Sequence, residues 1–276
     1  MAEFHDLAEV ALNREGRSWG NLGYWQSETE YSDACRALAL LLGEKAGLDH
    51  QSVVFDAGFG CGDQLLLWLE HFRVARIRGA NLSRSQTEYA RAKLTKAGFP
   101  AAATAIMQRD INDPEAWTAA LGENKTSHVL ALDCAYHFPD RVAFITLTHQ
   151  HLAPAGRLGL TDFILSDQHR TGSFTHRLLR WMLKRSQIAE ANMVHRDLYL
   201  RQLQEAGFSE IGIIDISDHV MPGFARFIRR FRESGKLGKL GASRRLKYAV
   251  TGRFLQWAYR RSILRYCLIS ATKTGR

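Results

Sequence analysis

The stretch VVFDAGFGCGDQ, residues 53–64, decides how the rest of the chain is read. Val53 to Phe55 run into an acid, Asp56; Gly58, Gly60 and Gly62 then alternate with other residues before a second acid, Asp63. An apolar run that ends in glycines and opens a helical pattern predicts a strand, a tight turn and a helix N-terminus. Removing the β-carbon lets the backbone adopt positive φ and lets a ligand lie close against it. The turn sits where doubly wound sheets bind nucleotides, at the carboxyl end of the leading strand. Its G-x-G-x-G spacing departs from the G-x-G-x-x-G of dinucleotide binders, and Asp63 in the first helical turn would repel a phosphate. A nucleoside ligand without phosphate is expected; a turn that binds nothing is the alternative.

On either side of this stretch, short apolar runs alternate with helical patterns. Strands are expected at 52–57, 74–81, 103–108, 127–134 and 157–163, and helices near 29–46, 63–71, 84–97 and 139–152. Strands separated by helices predict a mainly parallel sheet covered on both faces. Beyond residue 163 the rhythm changes. Residues 173–188 read as an inserted helix, RDLYLRQLQEAGFSEIGIIDIS as a helix, a stop at Gly207 and a strand, and RYCLISATKT as a last strand after a basic helical region from 222 to about 262. An antiparallel final pair with a long insertion is the simplest account.

The totals set limits. At 276 residues one elaborated α/β domain accounts for the whole chain, and 46% hydrophobic with 24% charged residues excludes a disordered or fibrous protein. No signal peptide or apolar run of transmembrane length is present, so a cytoplasmic protein is expected. Cys35, Cys61, Cys134 and Cys267 are far apart and lack metal-site spacing; they read as reduced thiols, with no metal site expected. The net charge of +9 is unevenly placed: from residue 222 onward fifteen Lys or Arg face a single acid, Glu233. Such asymmetry points to an acidic partner, an anionic membrane surface or an anionic substrate.

Four segments in order carry a resemblance. FDAGFGCG is similar to the first motif, D-x-G-x-G-x-G, of the class I S-adenosylmethionine-dependent methyltransferases. RGANLSRSQTEYARAK, NLGYW at 21–25 and DCAYHFPDRVAFITLTHQHLAPAGRLGLTDFIL resemble segments of their small-molecule and lipid subgroup, which includes tocopherol, macrolide and sugar methyltransferases and cyclopropane fatty acid synthases. The match spans roughly residues 20–165, and LQEAGFSEI continues it. It implies a Rossmann-like doubly wound seven-stranded sheet, mainly parallel with an antiparallel last strand. S-adenosyl-L-methionine, a nucleoside whose amino acid end carries no phosphate, agrees with the glycine turn. The expected organisation is a single methyltransferase domain with an N-terminal helical segment, 1–50, and helical cap insertions at 165–200 and 218–262.

The resemblance also implies roles. Asp56, Gly58, Gly60 and Gly62 would cradle the methionine half of the cofactor, and Tyr24 would close over that end unless it and Trp25 merely cover the core. Asn81 stands where most class I enzymes carry an acid for the ribose hydroxyls. An amide can still donate and accept there, and Gln86 would share the contact. Asp110 would accept from the adenine amino group, with the backbone of Ile111 at the ring edge, and Asp133 would line the cofactor side. His137 matches a histidine that takes the proton from a hydroxyl acceptor, and Asp162 matches its accompanying acid; a structural histidine capping the next helix is the alternative.

In PGFARFIRRFRES, Phe224, Phe227, Ile228 and Phe231 fall at helical spacing among arginines, and Leu246, Val250, Phe254 and Trp257 form a second stripe. Such helices either pack as a lid or lie on an anionic membrane. Their arginines could hold a phosphate, diphosphate or carboxylate of the acceptor. The reading is methyl transfer to a small, lipophilic acceptor at oxygen, nitrogen or carbon, with nucleic acid disfavoured because DCAYHF replaces the N/D-P-P-Y segment of base-amine methyltransferases. Two alternatives stay open. One is carbon methylation of a lipid or prenyl diphosphate through a carbocation, served by Asp133, Asp162 or Tyr136. The other is a non-catalytic S-adenosylmethionine-binding subunit that recruits an acidic partner.

Overall fold

The computed structural model describes residues 11–169, 172, 174–235 and 242–275. Within them lie seven strands: β1 (Val53–Ala57), β2 (Arg76–Asn81), β3 (Ile106–Gln108), β4 (Thr126–Ala131), β5 (Leu152–Leu165), β6 (Phe208–Asp215) and β7 (Leu264–Lys273). They form one sheet in the order β3-β2-β1-β4-β5-β7-β6. Neighbours from β3 to β5 pair in parallel, while β7 runs antiparallel to both β5 and β6. The sheet is thus the Rossmann-like, doubly wound one expected, with its strand order reversing between β1 and β4. At that point connections leave to opposite sides, and the carboxyl ends of the strands open into a crevice.

Among the described residues ten α-helices accompany the strands: α1 (Tyr31–Ala46), α2 (Asp63–Glu70), α3 (Arg84–Lys96), α4 (Pro100–Ala105), α5 (Pro114–Leu121), α6 (Arg141–His151), α7 (Phe174–Arg185), α8 (Arg196–Glu205), α9 (Ser217–Glu233) and α10 (Ala242–Arg260). In α1, Ala34, Cys35, Leu38, Ala39 and Leu42 recur at helical spacing and all are buried; left-handed Gly47 ends the helix. All four cysteines are free thiols.

Two cores result, one on each sheet face. Val54, Phe163, Tyr266 and Leu268 point into the first, with α1, α2, α9 and α10. Phe55, Leu160, Ile164, Cys267 and Ile269 point into the second, with α5, α6 and α8. Successive strand residues face opposite sides, so each long strand feeds both cores.

Some elements differ from expectation. The strand expected at 103–108 is a strand only from Ile106, because Pro100 at a first helical position and an alanine-rich run make PAAATA a helix. Helix α5 was not foreseen, although Asp113 caps it by accepting from the Glu115 N–H and Pro114 follows at its start. In α9, Phe224, Phe227 and Ile228 are buried as the stripe predicts. In α10 the buried face is Tyr248, Leu255 and Ala258, while Leu246 is 60% exposed. The stripe proposed through Leu246 and Val250 is therefore displaced around the helix. Residues 1–10 of the expected N-terminal segment, and 170, 171, 173 and 236–241 of the expected caps, lie outside the described residues.

Candidate active site

A cavity of about 570 Å³ opens at the carboxyl ends of β1, β2 and β4. Its floor is the glycine turn, where Gly58, Gly60 and Gly62 have φ of +80°, +57° and +90°. A β-carbon on Gly62 would lie 2.9 Å from that of Ala90, so this glycine allows α2 and α3 to approach. One on Gly60 would meet nothing within 4 Å. Gly60 is where bare backbone faces the hollow. Asp56 does not line the cavity. It is fully buried and accepts from Gln64 Nε2 at 2.8 Å and Trp68 Nε1 at 2.6 Å, pinning α2 to the end of β1. Burial pushes its carboxyl up to about 7 against the pull of those donors.

Along one wall, Asn81 at the end of β2 donates from Nδ2 to Gln86 Oε1 at 3.2 Å. Ser83, between them, caps α3 by accepting from the Gln86 N–H. Asp110 and Ile111 follow on the loop after β3, each lining the cavity. The carbonyl of Ile111 accepts from Trp117 Nε1 at 2.9 Å, and Trp117 stacks on Phe55 at 4.4 Å. That stack fixes the loop against the sheet.

Asp133, just beyond β4, has a positive φ of +56° and lines the cavity. Its carboxylate accepts from the Leu22 N–H at 2.7 Å, Tyr136 Oη at 2.9 Å and Tyr266 Oη at 2.5 Å. Burial raises its pKa to about 7, opposed by the two tyrosines and Leu22. His137 ends the 3₁₀ turn Ala135–His137 and also lines the cavity, its ring 4.5 Å from that of Tyr136.

Two candidates stand elsewhere. Tyr24 is not among the lining residues; its ring packs 4.9 Å from His219 and its N–H is tied to Ala34. The wall is built instead from the residues before it, Ser18 to Leu22, because Ser18 donates its N–H to Asp63 Oδ2 and Leu22 donates to Asp133. Asp162 does not meet His137. It alternates with Thr161 and Phe163 on β5 and so faces the second core, where it pairs with Arg141 at 3.0 Å and accepts from Tyr199 Oη at 2.9 Å. Asp162 is a fully buried carboxylate of the second core.

Sequence reasoning missed several lining residues. Ser186 to Ile188 follow α7, Phe224 comes from α9, and Tyr248, Thr251 and Leu255 come from α10. Their signal was an apolar face of α10 offset from the one chosen. The arginines expected to face the acceptor are exposed: Arg226, Arg229, Arg230 and Arg232 on α9 and Arg253 and Arg260 on α10. Among the described residues of the two helices, Lys247 is the cation that lines the cavity.

The lining suits a cationic nucleoside. Asp63, Asp110 and Asp133 all line it, and Asp63 Oδ1 is buried without a hydrogen-bond partner although Oδ2 is held by Ser18 and Lys93. An orphaned carboxylate oxygen in a cavity wall is a site for an incoming N–H donor. A family described as "Methyltransferase domain" matches residues 55–160, the segment that supplies this half of the cavity. Erythromycin 3''-O-methyltransferase of Saccharopolyspora erythraea is 30% identical over 219 residues, which cover 77% of this chain and 69% of that one. The chain belongs to the S-adenosylmethionine-dependent methyltransferases. This methyltransferase is also 27% identical to 27-O-demethylrifamycin SV methyltransferase of Amycolatopsis mediterranei, over 92% of its own length and 91% of the relative's. A solved geranyl diphosphate methyltransferase in complex with GPP and sinefungin shares its fold with a TM-score of 0.75 at 15% identity, covering 99% of this chain and 96% of that one. The cofactor of the methyltransferase is S-adenosylmethionine, and no helix among its described residues is long and apolar enough to cross a membrane.

Proposed function

We propose that this methyltransferase acts on a hydroxyl group of a lipophilic small molecule of macrolide-like bulk, with His137 taking the proton. The observation that carries this reading is the position of His137 on the wall of a cavity that Tyr136, Phe163, Phe224, Tyr248 and Phe254 also line. When bound, S-adenosylmethionine supplies a methyl group activated on sulfur. The protein's tasks are then to align an acceptor oxygen, exclude water and hold the departing proton. Asn81 and Gln86 would take the ribose hydroxyls, Asp110 and Ile111 the adenine edge, and Gly60 with Asp63 Oδ1 the methionine end. In this reading the chain is one methyltransferase domain, and 165–200 and 218–262 cap the acceptor.

The two relatives named for methylation of erythromycin at a 3''-oxygen and of 27-O-demethylrifamycin SV support oxygen as the target atom. Among the described residues of α9 and α10, Lys247 is the cation on the lining, which supports an acceptor with one carbonyl or carboxylate group over a diphosphate. The exposed arginines of α9 are proposed to make at most a salt-sensitive contact with anionic surfaces, because the aromatic stripe beside them is spent in the core. Vesicle flotation checks that contact.

Methyl-labelled cofactor supplied with a panel of hydroxylated macrolides, phenolics and prenyl diphosphates tests the acceptor class. Transfer to prenyl diphosphates alone would overturn the choice. With an acceptor in hand, His137→Ala should lower kcat by roughly 10²-fold or more while leaving S-adenosylhomocysteine affinity unchanged. Retention of full kcat would reject the proton-acceptor role.

A further inference from the structure

Asn192 is 3% exposed and belongs to the short 3₁₀ turn Glu190–Asn192, shortly after Ser186 to Ile188 of the cavity wall. Its Nδ2 donates to the carbonyl of Phe138 at 2.7 Å and to that of Tyr136 at 3.3 Å. These are the carbonyls of the two residues that flank His137. Its Oδ1 accepts the Arg141 N–H at 3.3 Å, and its carbonyl accepts Arg141 Nη1 at 2.6 Å. Nitrogen toward two acceptors and oxygen toward a donor make the amide's orientation unambiguous.

Arg141 is in turn 1% exposed and fixed from three sides. Asp162 accepts from Nη1 at 3.0 Å, Gln202 Oε1 accepts from Nη2 at 3.3 Å, and the Tyr199 ring lies 4.0 Å from the guanidinium carbon. A buried ion pair costs desolvation that its Coulomb attraction barely offsets. Here Arg141 also holds Asn192 twice, so the pair is tied to the turn beside His137 as well as to the second core.

We infer that Asn192 is a positioning residue that sets the orientation of His137, and that Arg141 and Asp162 act on His137 through it. The chain of contacts runs from the second core, through Asp162, Arg141 and Asn192, to the backbone on both sides of the histidine. Asp162 therefore reaches His137 without touching it. A rigid brace matters here because small misplacements of a reacting group are expensive in rate. The catalytic consequence rests on the proton-acceptor reading of His137; the brace itself does not.

The test uses the full chain with histidines ¹³C-labelled in the ring and S-adenosylhomocysteine added, the His137 resonance being assigned from His137→Gln. Asn192→Asp keeps the size and the acceptor oxygen but removes the NH₂ donor; Asn192→Ala removes both. Both variants, and Asp162→Asn, are expected to displace the His137 resonance and its titration midpoint. Those of His50 and His71 stay in place, and S-adenosylhomocysteine affinity stays within about twofold. Asn192→Asp serves even where Asn192→Ala fails to fold. A His137 resonance that coincides with wild type in Asn192→Asp overturns the brace. With the acceptor found by the labelled-methyl panel, Asn192→Asp should lower kcat about tenfold or more at little change in KM, and should add nothing in the His137→Ala background. A displaced resonance together with full turnover in His137→Ala would overturn the proton-acceptor reading alone.

Discussion

The backbone N–H of Leu22 donates to Asp133 Oδ2 at 2.7 Å, joining the N-terminal segment to the end of β4. Both residues line the cavity, so the bond closes one side of it. The other carboxylate oxygen is held by the hydroxyls of Tyr136 and Tyr266, and the Asp133 N–H donates to Thr161 Oγ1 at 2.8 Å. A left-handed residue held by four partners is a fixed corner.

That corner titrates. Burial raises Asp133 to about 7, and Asp56 to about 7 as well, from an ordinary 3.8. Between about pH 4 and 7 the folded protein holds these protons more tightly than the unfolded chain does. The stability they contribute is complete below the unfolded pKa and is lost as pH rises through about 7. Asp133→Asn should therefore flatten the fall in Tm between about pH 5 and 8, measured by thermal scans in matched salt. Asparagine tolerates the positive φ, so an unaltered slope would reject the assignment without a folding ambiguity.

Gly60 and Gly62 should separate affinity from stability. Alanine at either position strains a left-handed residue by roughly 1–2 kcal/mol. At Gly62 the new methyl also meets Ala90, whereas at Gly60 it enters open cavity. Gly62→Ala is expected to show the larger drop in Tm, and Gly60→Ala the larger rise in Kd for S-adenosylhomocysteine by calorimetry. The reverse order would mean that the cofactor does not lie on Gly60.

Arg141→Met leaves the Asp162 carboxylate buried beside Tyr199 without its cation. Removing one partner of such a pair costs on the order of 3–5 kcal/mol. Chemical denaturation should report that loss in the single variant, and much of it should return when Asp162 is also replaced by Leu. A single variant as stable as wild type would contradict the burial of the pair.

Gly223 on α9 lies against Trp25: a β-carbon there would sit 2.3 Å from Trp25 Cβ and Cγ. Trp25 also stacks on Phe227 at 5.1 Å and donates its backbone N–H to the His219 carbonyl at 2.8 Å. Gly223→Ala is expected to lose about 1–3 kcal/mol by overpacking, read as a lower denaturation midpoint. In a Trp25→Ala background, which removes Cγ and Cδ1, the same Gly223→Ala change should cost less than in wild type if the clash is the cause.

The alternation of strands and helices was legible because apolar period and turn residues are local properties. Gly58, Gly60 and Gly62, Asn81, Gln86, Asp110, Ile111, Asp133 and His137 all stand at or shortly after the ends of strands foreseen from pattern, and the fold brings them to one cavity. Asp56, Tyr24 and Asp162 were chosen from motif position alone, and each turned away. Asp162 was avoidable in principle. It falls between Thr161 and Phe163 on a strand buried on both faces, so it had to face the opposite core from theirs. The tail of α10 shows the opposite limit: two overlapping apolar stripes differ by a small rotation, and only the neighbour it packs against chooses between them.

By itself the sequence determined the doubly wound sheet, the glycine turn that leaves backbone bare at the strand end, and the cofactor class that such a turn admits. These follow from interactions among residues near one another in the chain. Tertiary structure alone decided that Ser18 and Leu22 close the cavity, that Lys247 of α10 lines its wall, and that Asn192 grips the turn of His137. Those relationships join residues far apart in sequence, and their geometry depends on how helices pack, which no local periodicity encodes.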